Sequence, residues 1–388
     1  MLTDIEPCLP PAEQIELDDL ALDLASRSVA LARQLRPEVQ DSVADLVRSM
    51  NCYYSNLIEG HNTHPREIEN ALRERYSADP RKRAHQMEAR AHIEVQRLID
   101  QGEAPDEHPC SARYARWVHR EFYRRLPEDA LWSVSASGVR KEIVPGEFRT
   151  QEVSVGYHIP PQHEKISKYM KRFEEAYQEE RFSKIKRIAA VGAAHHRFVW
   201  IHPFLDGNGR VARLMSHARL RHLGLGGGMW SVARGFARST TDYKDKLQAA
   251  DQPRRSDHDG RGARSEKALI DFCKYFLSTG IDQIDFMEKM LQPVDLARRI
   301  ENYCKDEIAA RRLPDRSERL LKEALLSGEF VRGRSVEITG FQERKAREIM
   351  SELLSRGLLV STGPRKPVRL GFPQEVVERW FPTLYPVE

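Results

Sequence analysis

The chain has 388 residues, of which 40% are hydrophobic and 31% charged, and its formal net charge is +4. This balance predicts a folded protein of two or three domains and excludes a disordered chain. A net charge so close to zero gives no general signal for nucleic acid binding, although residues 311–388 are mildly basic.

Five scattered cysteines form no CxxC pair, which argues against a zinc site or a disulfide framework and favours a reducing cytoplasm. The N-terminus lacks the basic start and apolar stretch of a signal peptide. No apolar run is long enough to span a membrane. We therefore expect a cytoplasmic protein without a membrane partner.

Helical periodicity dominates the first 126 residues. Leu17, Leu20 and Leu24 indicate an amphipathic helix. A second helix is predicted from about residue 43 to Ile58, before Gly60, a residue type that commonly ends helices. Further helices are predicted over residues 64–78, 84–100 and 112–126.

The segment after residue 131 is richer in β-branched residues, and glycine and proline interrupt it. Within it, residues 152–156 alternate polar and apolar side chains, which predicts a short strand or hairpin. Helices are predicted again over residues 163–180, 184–200 and 265–278, and from the GNGR run to Gly224.

The pattern changes after Pro314, where a helix, a second helix, a glycine-containing turn and a third helix are predicted. Two strands, Leu359-Val360 and Val368–Leu370, flank a basic turn, so a winged helix-turn-helix is the simplest interpretation. Basic residues on its recognition helix and wing would face a partner: Arg344, Lys345, Arg347, Arg365, Lys366 and Arg369. Glutamates interrupt this basic surface, so DNA and a protein remain equal alternatives.

The run HPFLDGNGR, from His202 to Arg210, concentrates more chemistry than any other stretch. His202 can accept a proton near neutral pH, and Asp206 can hold a hard metal ion. The backbone of Gly207, Asn208 and Gly209 can wrap N–H groups around a phosphate at the start of a helix. Arg210 can clamp phosphate oxygens.

This run resembles the motif of the Fic family, HPFx(D/E)GNGR, at every specified position. The resemblance extends to Arg213 and to the flanking segments at residues 146–150 and 193–204. It implies a mainly α fold with a Fic helical core, a small β-hairpin flap and a C-terminal winged helix-turn-helix. The expected domains are residues 1–109, a helical region; 110–290, the Fic core; and 291–388, a linker helix and the winged domain.

The resemblance also implies roles for the residues of the motif. Members of this family mostly transfer AMP from ATP to a protein hydroxyl, with the motif histidine, here His202, as the base. Asp206 would bind Mg²⁺, and the nucleotide would contact the motif glycines, Asn208 and both arginines, Arg210 and Arg213. Gly209 stands where a kinase-like branch of the family carries a lysine, which favours nucleotidyl transfer.

Residues 55–60, SNLIEG, resemble the inhibitory motif of the family, (S/T)xxxE(G/N). Ser55 and Glu59 are four residues apart on a predicted helix and so share a face. Glu59 is expected to form a bidentate ion pair with Arg213. That pair would occupy the arginine needed for the terminal phosphate and misplace ATP.

Two weaker expectations follow from the same resemblance. The hairpin candidate would be the flap that docks the target protein by strand addition, through Val153, Ser154, Val155 and Gly156. Tyr243 lies where family members carry residues close to the adenine, and a core position is the alternative.

The leading hypothesis is an autoinhibited protein adenylyltransferase that uses Mg²⁺ with ATP and modifies a target protein of unknown identity. One alternative is a DNA-binding regulator with a nucleotide-sensing Fic module. Another is a bifunctional enzyme that also removes AMP from its target, with Glu59 positioning water. A homodimer is compatible with each hypothesis.

Overall fold

The computed structural model describes residues 3–134, 138, 140–156, 158–178, 181–226 and 228–386, and it is mainly helical, as predicted. Within these residues the helices are α1 (Ile15–Arg33), α2 (Pro37–Ile58), α3 (Pro65–Leu72), α4 (Pro80–Asp100), α5 (Ala112–Tyr123), α6 (Ile166–Ala176), α7 (Lys184–Ile201), α8 (Asn208–His222), α9 (Val232–Arg238), α10 (Thr240–Asp251), α11 (Glu266–Leu291), α12 (Pro293–Ala309), α13 (Ser317–Ser327), α14 (Ser335–Thr339), α15 (Glu343–Ser355) and α16 (Gln374–Trp380). The strands are β1 (Trp132–Val134), β2 (Arg140–Glu142), β3 (Glu329–Phe330), β4 (Leu359–Val360) and β5 (Val368–Leu370). None of the described helices is long and apolar enough to cross a bilayer.

The predicted helices are present, but several ends differ from the prediction. α3 ends at Leu72 rather than near residue 78, and α11 continues to Leu291 rather than ending near residue 278. α9 and α10 were not predicted. α9 has seven residues, of which the first five are all buried, and α10 buries only Tyr243 and Ala250, so neither helix shows a clear apolar periodicity.

The small antiparallel hairpin is confirmed, but its predicted position was wrong. β1 pairs with β2, with Ser133 opposite Lys141. Residues 152–156 form no strand and contain one isolated bridge, between Val155 and His158. The alternation of side chains did not produce a strand because Gly156, at φ +57°, turns the chain back immediately.

The chain folds into two compact units, and each is assembled from segments that are separated along the sequence. The first consists of Met1–Arg27, Asn51–Gly227 and Ser231–Gln283, and the second of Ser28–Met50, Gly228–Trp230 and Ile284–Glu388. These units differ from the three consecutive segments expected from the sequence, and the functional division into those segments stays a prediction.

In the first unit, α7 is the central helix and ends at the HPFLDGNGR run. Ser183 caps its start, and nearly every residue from Ile188 to Ile201 is buried. Gly192 permits a close approach to α11, since a Cβ there would lie 3.1 Å from both Cys273 Cα and Phe276 Cβ. α8 packs against α7, so the run forms the connection between two well-buried helices.

The C-terminal end of α2 is fixed in the same unit by buried polar contacts with α4. The Asn51 amide donates to Gln96 Oε1 at 2.5 Å, and the Cys52 thiol donates to the Ala89 carbonyl at 3.3 Å. These contacts place the SNLIEG segment next to the motif helix α8, because α4 also packs against α8.

In the second unit, α13, α14 and α15 accompany a three-stranded antiparallel sheet of order β3-β5-β4. β4 and β5 lie at the predicted residues, with Val360 opposite Arg369. α14 and α15 are separated by a turn at Gly340, whose φ is +65°. The third strand, β3, was not predicted, because Glu329 and Phe330 follow α13 closely and become a strand only by pairing with β5.

The segment before α1 is anchored to the first unit by a buried arginine of α7. Arg197 is fully buried, and its Nε and Nη2 donate to the Pro7 carbonyl at 2.9 and 2.8 Å. The Tyr177 hydroxyl donates to the Cys8 carbonyl at 2.6 Å. Burial lowers the pKa of Arg197, so its charge depends on such acceptors.

Deletion of residues 1–11 should therefore destabilise the protein by about 3 kcal/mol or more, because it removes the charge-assisted hydrogen bonds of Arg197. Urea unfolding of the full chain and the truncated chain would measure the difference. A chain that starts at Thr3 is the control and should unfold like the full chain. Equal stability of all three chains would contradict the anchoring role of Arg197.

Candidate functional site

The HPFLDGNGR loop is shaped by two residues in the left-handed region. His202, at φ +49°, ends α7, and Gly207, at φ +79°, precedes the first turn of α8. A Cβ on Gly207 would lie 2.7 Å from the Tyr123 hydroxyl oxygen. Gly207 is therefore required both by its backbone angle and by the closeness of Tyr123.

The Asn208 side chain closes this loop from within. Its Oδ1 accepts the Phe204 N–H at 2.9 Å, and its Nδ2 donates to the Phe204 carbonyl at 2.9 Å. Phe204 is fully buried and stacks on His119 with the ring centroids 4.0 Å apart. The Asn208 side chain thus stabilises the loop by hydrogen bonds within it, a role that the sequence did not predict. Its backbone N–H lies at the start of α8.

His202 is held in a form suited to accepting a proton. Its Nδ1 lies 3.3 Å from the Val199 carbonyl oxygen, and with the proton on Nδ1 the Nε2 atom keeps a lone pair. Burial lowers the pKa of His202 to about 4. The imidazole is therefore neutral at pH 7, which a general base requires.

Asp206 lies at the more open part of the loop. Its side chain is 48% exposed, and its Oδ2 accepts from the Tyr123 hydroxyl at 2.9 Å and lies 3.4 Å from Arg210 Nη2. Burial would raise the pKa of this carboxyl, but the Arg210 charge and the Tyr123 hydrogen bond outweigh it, and the pKa lies below its ordinary value. Asp206 is thus ionised and accessible at pH 7.

Arg210 is a buried cation whose hydrogen bonds are incomplete. Its Nη1 lies 3.5 Å from Glu88 Oε1, and its guanidinium stands over the Phe122 ring at 5.0 Å. Within the described residues, its Nε and Nη1 have no hydrogen-bond partner. A buried guanidinium with unused donors favours an additional anion. The contact of Arg210 with a nucleotide phosphate stays a prediction.

Arg213 is held by the end of α2. Its side chain is 2% exposed, its Nε donates to Ser55 Oγ at 2.8 Å, and its Nη2 donates to Glu59 Oε1 at 2.5 Å. The structure thus brings together the three residues that the sequence paired. The ion pair is not the expected bidentate one, because Ser55 takes the Nε donor.

Glu59 reaches over the motif loop as well as to Arg213. A Cβ on Gly209 would lie 2.5 Å from Glu59 Oε1 and 3.1 Å from Arg213 Nη1. Burial would raise the Glu59 pKa, but the charges of Arg213 and Arg210 outweigh it and hold the pKa below its ordinary value. Glu59 is thus ionised and covers the start of α8.

Tyr243 lies in the core beneath this site. It is 3% exposed, its hydroxyl lies 2.8 Å from His195 Nε2, and its ring stacks on Phe236 at 4.4 Å. The alternative of a core position thus describes Tyr243 in this structure. Its contact with adenine stays a prediction.

The expected flap residues, Val153–Gly156, lie in a loop next to the motif. Val155 is 42% exposed, and His158, which bridges to it, has its Nε2 atom 2.8 Å from the Trp200 carbonyl oxygen. The loop is therefore attached to the last turn of α7, just before His202. Its role in docking a target stays a prediction.

Sequence reasoning missed three residues that organise the site. Tyr123 donates to Asp206, Glu88 faces Arg210 and lies 2.8 Å from His61 Nδ1, and Arg149 donates to the His202 carbonyl at 2.9 Å. These contacts join distant segments, so no spacing within the chain signals them. Of the three, only Arg149 lies in a segment of the family resemblance, residues 146–150.

Gly207→Ala should destabilise the protein more than Gly224→Ala. Both glycines have a positive φ, +79° and +77°, but only Gly207 has a neighbour within 4 Å of the added Cβ. Both variants therefore incur about 1 kcal/mol of backbone strain, and Gly207→Ala adds an overpacking cost of about 1–3 kcal/mol. Urea unfolding would compare them, and equal losses would show that Tyr123 does not constrain the loop.

The His202 imidazole should remain neutral from pH 8 to about pH 5, because burial lowers its pKa to about 4. An NMR titration of the ring signals would show a midpoint well below that of the urea-unfolded chain, near 6.5. The unfolded chain then binds a proton that the folded chain does not, so this residue lowers stability as pH falls from about 6.5 to 4. A midpoint near 6.5 in the folded protein would contradict this account.

Comparison with known proteins identifies what this arrangement resembles. Residues 109–220 match the sequence model of the Fic/DOC family. Over 79 residues the chain is 42% identical to proteins named protein adenylyltransferase Fic from Drosophila erecta and Drosophila melanogaster. Each match covers 20% of this chain and only 16% of the relative's length.

Two solved structures share the fold. A Fic family protein from Desulfovibrio desulfuricans has a TM-score of 0.55 and 17% identity, with 94% of this chain and 98% of that chain covered. A Fic domain containing signaling protein from Bacteroides thetaiotaomicron has a TM-score of 0.53 and 20% identity, covering 70% of this chain and 96% of that chain.

Proposed function

We propose that this chain, which contains a Fic/DOC family domain, is an autoinhibited protein adenylyltransferase that moves AMP from Mg-ATP to a hydroxyl of a target protein. The observation that carries the proposal is the motif loop, which combines a neutral imidazole, an accessible carboxylate and an incompletely bonded guanidinium. The name of the Drosophila relatives supports the same reaction.

The reaction needs a base for the attacking hydroxyl and positive charge for the phosphates. His202 Nε2 takes the proton of the target hydroxyl while its oxygen forms a bond to the α-phosphorus of ATP. The bond from the α-phosphorus to the bridging oxygen of the β-phosphate breaks, and pyrophosphate leaves. Arg210, Arg213 and the N–H groups at the start of α8 hold the phosphate oxygens.

The residues present fit one magnesium ion bound together with the nucleotide. Asp206 offers one accessible, ionised carboxylate, and Mg²⁺ in nucleotide sites commonly takes one or two carboxylates together with phosphate oxygens. The ion would neutralise phosphate charge. Tyr123 orients the carboxylate by its hydrogen bond to Oδ2.

Inhibition follows from competition for Arg213. Glu59 supplies the anion that this buried guanidinium needs, and the Glu59 carboxylate also covers Gly209. A terminal phosphate that sought the same guanidinium would meet a carboxylate of like charge. Productive binding of ATP therefore requires Glu59 to withdraw.

Glu59→Gly should increase AMP transfer by at least about tenfold, because it frees Arg213. His202→Ala in the same background should decrease it by about 100-fold or more, since the base is lost. Incubation with α-labelled ATP, Mg²⁺ and cell lysate, followed by electrophoresis, would measure transfer to protein. Glu103→Gly, which removes an exposed glutamate after α4, is the control and should behave like the wild type. No labelled band in any variant would count against transfer.

For the C-terminal region, we propose a winged-helix module that binds a protein rather than DNA. The three basic side chains on α15 each pair with a glutamate of the same helix: Arg344 and Lys345 with Glu348, and Arg347 with Glu343. The ion pair of Arg347 and Glu343 also lines a groove of about 450 Å³, together with apolar residues such as Val336, Met350 and Leu354. A groove with both apolar and paired charged groups favours a protein surface over phosphates.

The full chain should then bind random duplex DNA no more tightly than about 100 μM at physiological salt. Replacing the two glutamates, as Glu343→Gln with Glu348→Gln, should increase DNA affinity because it exposes the positive charge of α15. Fluorescence anisotropy over a range of salt concentrations would measure both. Tighter binding by the wild type, with a steep salt dependence, would favour the DNA-binding alternative.

A further inference from the structure

In the first unit, the Arg149 side chain links the backbone of His202 to the loop that follows in the sequence. Its side chain is fully buried, and Nε donates to the carbonyl of His202 at 2.9 Å. The other two nitrogens donate to the carbonyls of Gln151 and Pro161, at 2.8 and 2.5 Å. One guanidinium thus donates to the backbone of His202 and to carbonyls at both ends of residues 151–161.

The backbone of Arg149 adds a further contact to the same place. Its N–H donates to the Pro203 carbonyl at 2.9 Å, so both its main chain and its side chain hold the start of the motif loop. Glu152 Oε2 lies 3.5 Å from Arg149 Nη1, but that carboxylate is 57% exposed. Backbone carbonyls therefore provide most of the stabilisation of this buried charge.

Only an arginine can make this set of contacts. The guanidinium carries five N–H donors in a rigid plane, so it can reach three carbonyls in fixed directions at once. A lysine would keep the charge but present one nitrogen on a flexible stem. Burial lowers the pKa of Arg149, which shows that the site is costly for a cation and that the hydrogen bonds are needed.

We propose that Arg149 is a positioning residue that fixes residues 151–161, as the loop that receives the target protein, relative to His202. This inference rests on the proposed function, because it assigns the loop to the target rather than to the nucleotide. His158 anchors the middle of the same loop to the Trp200 carbonyl. The accessible residues between these anchors, such as Val155 at 42% exposure, are then held at a set distance from the base.

The geometry separates this role from nucleotide binding. Arg149 contacts carbonyls of the loop and of His202, whereas the nucleotide is proposed to bind Arg210, Arg213 and the start of α8. Loss of the Arg149 contacts should therefore loosen the loop and slow transfer while ATP affinity is preserved. A residue that only stabilised the fold would affect both.

The test uses the full chain with Glu59→Gly as the parent and adds Arg149→Lys, Arg149→Met or the control Arg124→Lys. Arg124 is an exposed arginine of the same region that pairs with Glu121. Three quantities would be measured: hydrogen exchange of residues 151–161, Mg-ATP affinity by calorimetry, and the initial rate of labelling of lysate proteins by α-labelled ATP.

Both Arg149 variants should increase exchange in residues 151–161 by about tenfold or more and reduce the labelling rate by a similar or larger factor. Mg-ATP affinity should stay within about twofold of the parent, and Arg124→Lys should match the parent in all three quantities. Unchanged exchange in the loop would overturn the inference. So would a loss of ATP affinity equal to the loss of labelling rate.

Two further comparisons distinguish a failure of the proposed function from a failure of the inference about Arg149. If the parent labels nothing, the proposed function fails, while the exchange measurement still decides whether Arg149 holds the loop. If Arg149→Lys and Arg149→Met do not fold, His158→Ala, which removes the contact with the Trp200 carbonyl, replaces them. Because His158 Nδ1 also lies 3.5 Å from Asp251 Oδ2, Asp251→Asn is measured beside it as the control for that second contact. His158→Ala should increase exchange in the loop and slow labelling with ATP affinity kept, beyond any effect of Asp251→Asn, and no such change would contradict the inference.

Discussion

The site depends on one constraint, which is that the buried guanidinium of Arg213 requires an anion. Removing a charged group from water costs several kcal/mol unless it is paired and hydrogen-bonded. In this structure Ser55 and Glu59 meet that requirement. Under the proposed function a nucleotide phosphate competes for the same guanidinium, so ATP has to replace the ion pair of Glu59 with Arg213.

The motif loop next to Arg213 is held in place by hydrogen bonds and close packing. The Asn208 amide braces the loop against Phe204, and Tyr123 leaves no room for a side chain on Gly207. Gly209 has a different role, because its missing Cβ leaves the space that the Glu59 carboxylate occupies. Under the proposed function, the space left by Gly209 serves both the approach of a phosphate and the Glu59 carboxylate that excludes it.

Much of the site could be predicted from the sequence because its motifs each lie within a short segment of the chain. The i, i+4 spacing of Ser55 and Glu59 and the run that ends in Arg210 each lie within a few residues, and the structure places both segments together. Tyr123, Glu88 and Arg149 were missed, since their roles arise only when distant segments pack. The strand predicted at residues 152–156 was misplaced because side-chain alternation does not specify a partner strand, and Gly156 turns the chain there.

The central claim is that Glu59 and the nucleotide compete for Arg213. Calorimetry of a non-hydrolysable ATP analogue with Mg²⁺, on the wild type and on Glu59→Gln, tests it most directly. Glutamine keeps the size of the side chain and removes the negative charge, so the account predicts binding at least about tenfold tighter to the variant, a difference of about 1.4 kcal/mol. Equal affinity, or tighter binding to the wild type, would contradict it.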